Sequence, residues 1–153
     1  MDYTSAITEL LSQHGFRRFT MSHTIAGHLR LVGHLDGRRA DIVLDTGAAS
    51  TVVDLSYCRS EGIAVRDTGK LGFGGVEGRT PHLYALDDVR LTLDGLPIRS
   101  DGICVIDLIH INQKLMSRGA DPIHAILGAD VLRHHQAVID YATQALFLKE
   151  EPA

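Results

Sequence analysis

The stretch Ala40-Asp41-Ile42-Val43-Leu44-Asp45-Thr46-Gly47-Ala48-Ala49-Ser50-Thr51 decides how this chain is read. Its first five residues have the apolar composition of a strand, and Asp45 stands at the end of that run. Gly47 permits a sharp turn, and small side chains follow it. A carboxylate held by a rigid strand end, with room beside it, is a geometry suited to chemistry because the scaffold fixes the acid. The same residues also describe a plain turn aspartate. The rest of the chain has to discriminate between the two.

Immediately upstream, residues 28–35 and 38–44 alternate as strands around Asp36-Gly37, a dipeptide that favours a tight hairpin. The second strand of that hairpin delivers Asp45. Further back, Tyr3, Ile7, Leu10, Leu11 and His14 recur at helical spacing, and Gly15 is placed to stop the helix. Residues 1–20 therefore read as an N-terminal helical extension, and 21–153 as the main domain. From Phe16 onward the pattern is that of strands.

Downstream, Thr51-Val52-Val53 continues as strand or loop, and Asp54 is an N-cap for a short helix ending near Gly62. Residues 63–66 suggest a brief strand. The segment Lys70-Leu71-Gly72-Phe73-Gly74-Gly75-Val76-Glu77-Gly78-Arg79 is dense in glycine, which suits a mobile hairpin that approaches another molecule closely. Strands are expected at 82–86, 89–93 and 98–106, with turns at Asp87-Asp88 and Asp94-Gly95. Leu108, Ile111, Asn112, Leu115 and Met116 mark a helix stopped by Gly119 and Pro122. Residues 125–128 read as a buried strand, 129–134 as a short helix, and 136–141 with 145–148 as a closing hairpin. Short strands without regular strand–helix alternation make the chain mainly β.

A length of 153 residues is that of one domain, able to bury roughly 70% of its unfolded surface. With 44% hydrophobic and 22% charged residues the composition is that of a globular protein. A net charge of −4 gives no electrostatic footprint for nucleic acid or an anionic membrane, and no run approaches the ~18 apolar residues of a membrane span. Cys58 and Cys104 fit neither a disulfide framework nor a metal spacing, and read as free thiols in a reducing compartment. The N-terminus lacks the pattern of a signal peptide, so a cytoplasmic location is expected, although a chain trimmed of its leader would look the same.

Three ordered features together resemble the retroviral-like (retropepsin-like) aspartic proteases, in the single-lobe form found also in bacteria. They are the apolar strand with Asp45-Thr46-Gly47-Ala48-Ala49-Ser50-Thr51, the glycines from Gly72 to Gly78 at the place of the family's flap, and Ile126-Leu127-Gly128-Ala129-Asp130 ahead of a short helix. The resemblance spans about residues 24–149. It implies a single-lobe acid-protease β-barrel with a short C-terminal helix, to which this chain adds an inserted helix and the N-terminal one. It further implies an aspartic endopeptidase with Asp45 as the catalytic carboxylate. Thr46 would brace the paired loops through its hydroxyl, and Gly47 would admit backbone groups close to the acid. Ala48 would border a side-chain pocket, and Phe73, Gly74 and Gly75 would lie at the flap over an extended polypeptide. The flap lacks the aromatic placement of pepsin-like enzymes.

Amide hydrolysis without a metal needs one carboxylate to take a proton from water and a second to donate one. The triplet recurs as Asp67-Thr68-Gly69, but Arg66 precedes it, Lys70 follows, and 22 residues hold no second lobe. It reads as a turn entering the flap. The second carboxylate is then Asp45 of another copy, placed by a two-fold axis, so the catalytic reading requires a homodimer. The alternative is the same fold used as an inactive dimerisation or peptide-binding module.

Other chemistries fit less well. Gly72-x-Gly74 lacks the dinucleotide spacing and no Gly-Lys-Ser/Thr follows. Adjacent His134 and His135 point different ways on a helix, no His-Glu-x-x-His occurs, and most of the nine histidines read as surface or boundary residues. Neither metal nor cofactor is expected. Asp130 reads as a favourable carboxylate at a helix start, without a catalytic part.

Overall fold

A computed structural model describes residues 1–71 and 82–151. Its elements, in chain order, are α1 (Tyr3–Gln13), β1 (Phe16–Thr20), β2 (Ser22–His23), β3 (Leu29–Leu35), β4 (Arg38–Leu44), β5 (Val52–Asp54) and α2 (Leu55–Ser60). There follow β6 (Arg66–Leu71), β7 (His82–Ala85), β8 (Leu91–Leu93), β9 (Leu96–Pro97), β10 (Cys104–Ile106), α3 (Ile109–Ser117), β11 (Ala125–Leu127), α4 (Ala129–His134), β12 (Val138–Asp140) and β13 (Ala145–Lys149). The chain is mainly β, as its pattern indicated. Residues 72–79 of the glycine-rich segment, with Phe73, Gly74 and Gly75, lie outside the described residues.

The larger sheet runs β6-β7-β10-β5-β11-β4-β3-β8-β9, with β2 on β3. A barrel was expected; among the described residues this ladder is an open path with no pairing that joins its ends. The β3–β4 hairpin forms through Asp36 and Gly37, both at positive φ (47° and 79°), the backbone a two-residue turn of this kind requires. Beside β4 lies β11 in parallel register, Ile42 opposite Ala125 and Leu44 opposite Leu127. A separate three-stranded sheet, β1-β13-β12, sets the chain's first strand against its last. The expected division at residue 20 thus falls at the end of β1.

The continuous apolar run 42–44 is explained by burial of both faces of the strand. Ala40 and Ile42 point into the main core with Val53, Val105, Ala125 and Leu127, and Leu44 packs against it. Val43 points the other way, into a smaller cluster with Leu108, Leu115 and Ile123, against which Val52, Ile106 and Ile126 pack. Helix α3 therefore covers the opposite face of β4, β11, β5 and β10. Asp54 ties this arrangement together: it caps α2 through Tyr57 N–H (3.3 Å) and accepts the Leu108 N–H at the start of α3 (3.0 Å).

Two expectations are corrected. The strand expected at 63–66 begins only at Arg66, because the Ile63 amide closes the turn after α2 on the Cys58 carbonyl (2.8 Å) and the ladder to β7 starts at the Arg66–Ala85 pair. The strand expected over 98–106 is broken, because side chains take its amides. Arg99 N–H goes to His135 Nε2 (2.9 Å) and Asp101 N–H to Asp130 Oδ2 (3.2 Å). Among the histidines, His135 is fully buried, its Nδ1 meeting the Lys149 carbonyl at 2.8 Å. With Nε2 accepting from an amide, the ring proton sits on Nδ1.

Candidate active site

Asp45 follows β4 directly, and its own N–H still belongs to the ladder, donating to the Leu127 carbonyl at 3.0 Å. The chain then turns. The Gly47 N–H donates to Asp45 Oδ1 (2.9 Å), and the Ala48 N–H donates to the Asp45 carbonyl (3.2 Å). Asp45, Thr46 and Gly47 are exposed and Ala48 is half-buried, whereas Val43 behind them and Thr51 beyond them are buried. An exposed carboxylate thus sits on a loop whose two ends are fixed in the core.

The ends are fixed by α4 and the strand before it. Ala129 N–H donates to the Ala48 carbonyl at 2.7 Å. Gly128 N–H donates to Thr51 Oγ1 at 3.0 Å, and that hydroxyl donates onward to Asp130 Oδ1 at 2.8 Å. Thr51 uses both its accepting and donating capacity, and Asp130 accepts at both oxygens, the second bond coming from Asp101 N–H. Thr51 and Asp130 are almost wholly buried, at 0% and 1% exposure. A buried polar chain with every group paired is rigid, because breaking any link strands a desolvated partner.

Gly128 is required for contact. A Cβ there would lie 2.7 Å from the Ser50 carbonyl oxygen and 2.8 Å from that of Ala48. Both are backbone atoms of the Asp45 loop. The sequence pattern marked Gly128 and gave Asp130 only a helix-start role; it missed that Thr51, Gly128 and Asp130 form one brace. The signal was Thr51 six residues after Asp45 and Asp130 two after Gly128, legible only once β4 and β11 are paired.

Asp67 offers an internal comparison. Its Oδ1 accepts the Gly69 N–H at 2.8 Å, the same local bond that Asp45 makes with Gly47. The triplet's local hydrogen bond is therefore not what distinguishes the two. Asp67 lies within β6 at an irregularity in pairing with β7, rather than in a turn, on a strand with no buried residue. Four strands separate β6 from β4 along the sheet. Among the described residues no three His, Cys, Asp or Glu side chains converge as a metal-ligand set, and no helix is long and apolar enough to cross a membrane. His134 and His135 diverge, His134 Nε2 meeting exposed Asp101 at 2.7 Å.

No family model matches the sequence, and no curated protein matches it. Solved structures do match. The chain superposes on a retropepsin-like aspartic protease from Rickettsia conorii with a TM-score of 0.57 and 14% identity, over 87% of this chain and 90% of that one. The fold is retropepsin-like. The retroviral protease-like domain of Ddi1 from Leishmania major gives a TM-score of 0.52 at 17% identity, over 79% of this chain and 87% of that one. EIAV protease, in complex with the inhibitor HBY-793, gives 0.50 at 19%, over 72% and 90%. At such identities the likeness concerns the path of the backbone. Within this retropepsin-like path Asp45 stands at the end of β4, and α3 is the helix that covers the sheet beside it.

Proposed function

We propose that the protein is an aspartic endopeptidase whose active site forms between two copies, each contributing Asp45. The observation that carries this reading is the exposed Asp45 carboxylate on a loop held rigid by the buried Thr51–Gly128–Asp130 brace. A turn aspartate has no need of such a brace. A catalytic one does, since small displacements of a reacting group cost orders of magnitude in rate.

Asp130 is committed to Thr51 and Asp101 and is buried, so it is not free to act on water at Asp45's side. A two-fold axis beside the exposed loop brings a second Asp45 to the first. Like charges at short range cannot both ionise, so the pair holds one proton. The charged member takes a proton from a water molecule as it attacks the scissile carbonyl, and the neutral member donates its proton to the carbonyl oxygen. In the collapse of the tetrahedral intermediate the newly protonated carboxyl gives its proton to the leaving nitrogen, and the other carboxylate takes one from a hydroxyl of the intermediate. This breaks the C–N bond, releases the amine and restores the single shared proton without a covalent enzyme intermediate. In this reading Thr46 braces the loop against its partner, Ala48 borders a side-chain pocket, and Phe73, Gly74 and Gly75 close over the peptide.

The test is a peptide-library digest by purified protein and by Asp45→Asn. The reading expects cleavage that Asp45→Asn abolishes with the fold retained. Cleavage surviving in Asp45→Ala refutes it, and a well-folded dimer that binds peptides but cleaves none supports the inactive binding module instead.

A further inference from the structure

Helix α3 has a direction relative to Asp45 that its contacts determine. It begins where Leu108 is held by Asp54 at the end of β5. The loop after it is held by Arg30 of β3, which donates to the Asp121 and Pro122 carbonyls at 2.8 and 2.7 Å. Between β5 and β3 lie β11 and β4, so the helix crosses these strands rather than running along them. Its nine residues reach about 14 Å, the width of three strand spacings.

One flank is identified by Asn112, whose side chain bonds both the amide and the carbonyl of Ile123 (2.8 and 3.0 Å). Ile123 leads into the start of β11, beside Asp41, whereas β11 ends beside Asp45. The Asn112 flank therefore faces away from Asp45, and the opposite flank faces toward it. At 100° per residue that opposite flank carries Lys114, with Arg118 one turn on and His110 one turn back toward solvent. All three are exposed, and among the described residues none has an ion-pair partner. The flank's carboxylate, Asp107, is exposed and caps the Ile109 N–H at 3.0 Å.

Strand alternation places Asp45 on the same sheet face as Val43, the face that α3 covers. Between the cationic flank and Asp45, Val52 and Ile126 are only half-buried and form an apolar floor. We infer that this flank of α3, through Lys114 and Arg118, is a wall of the substrate cleft that selects peptides carrying acidic side chains close to an apolar one at the cleavage point. The inference rests on the proposed peptidase reading and adds a substrate class to it. Cations in a last helical turn also favour the helix dipole, but that accounts for their place along the helix and not for their alignment on the side toward Asp45 in a chain of net charge −4.

The test uses fluorescein-labelled peptides that share a central Leu-Phe and differ only in Glu, Gln or Lys at the flanking positions. Binding is read by anisotropy on the Asp45→Asn protein, and cleavage on the unaltered chain. Two exposed pairs imply about a three- to tenfold preference for Glu over Gln, lost at about 0.5 M salt. The double variant Lys114→Glu/Arg118→Glu should invert the order to favour Lys, while Lys114→Gln/Arg118→Gln should level it. Thermal unfolding of each variant separates a dipole effect, which moves Tm alone. An unchanged Glu-to-Gln ratio in the reversed variant, or no detectable binding of any of the three peptides, overturns the inference. Cleavage without Glu preference sinks this inference alone, and Glu-selective binding without cleavage sinks the peptidase reading alone.

Discussion

Replacing Gly128 by alanine isolates the contact on which the site depends. Its backbone is extended (φ −102°, ψ −176°), a conformation alanine adopts freely, so the whole effect of Gly128→Ala is steric. The added Cβ meets the Ser50 and Ala48 carbonyl oxygens at 2.7 and 2.8 Å, where ordinary contact begins at 3.4 Å. The loop or β11 must therefore give by about 0.7 Å, and neither obstacle is a side chain that swings aside. Forcing a methyl into such packing costs about 1–3 kcal/mol, which is roughly 3–10 °C in Tm for a chain of this size. Moving the Asp45 loop by that distance should also lower kcat/KM at least about tenfold. Thermal unfolding and peptide cleavage measured on the same preparation check both. A variant with unchanged Tm and unchanged kcat/KM would refute the claim that close contact between Gly128 and the loop holds Asp45 in place.

Thr51→Val keeps the shape but strands Gly128 N–H and Asp130 Oδ1, and should cost about 1–3 kcal/mol; Thr51→Ser should retain most of the stability in denaturant unfolding. Asp54→Ala removes the cap of α2 and the acceptor of Leu108 N–H together, with a loss of about 1–3 kcal/mol, read by the same method. Burial, aided by nearby Glu61, pushes Tyr57 up to about 12, and burial, aided by Asp54, pushes Cys58 up to about 11. In each case the neutral form is favoured in the folded chain, so this contribution is intact below the ordinary values of 9 and 10 and is lost as pH rises through 11 and 12. Tm should therefore fall between pH 9 and 12, and less steeply in Cys58→Ala; an equal slope in both would contradict the assignment.

What was legible in the sequence follows local physics. The β3–β4 hairpin was readable because Asp36-Gly37 is a turn signal in itself, and α2 because Asp54 caps it. The break in residues 98–106 was not readable: Arg99 and Asp101 donate to His135 and Asp130, some thirty residues on, and a strand propensity knows nothing of such acceptors. The burial of His135 was not readable for the same reason, since it depends on partners at Arg99 and Lys149. At the site, Asp45 and Gly128 stood out as motif positions, but their contact needs the parallel pairing of β4 with β11. The Asp67 triplet shows the converse, because it reproduces the local hydrogen bond of Asp45 on a strand none of whose residues is buried.

The central claim is that one active site needs two Asp45 carboxylates. The most direct measurement mixes unaltered protein with Asp45→Asn protein, allows the copies to exchange, and follows peptide cleavage against the mixing ratio. A shared site leaves activity only in pairs that carry two unaltered copies, so an equal mixture should retain about one quarter of the activity. Retention of about one half, falling in a straight line with the fraction of unaltered protein, would mean that each chain works alone and would contradict the account.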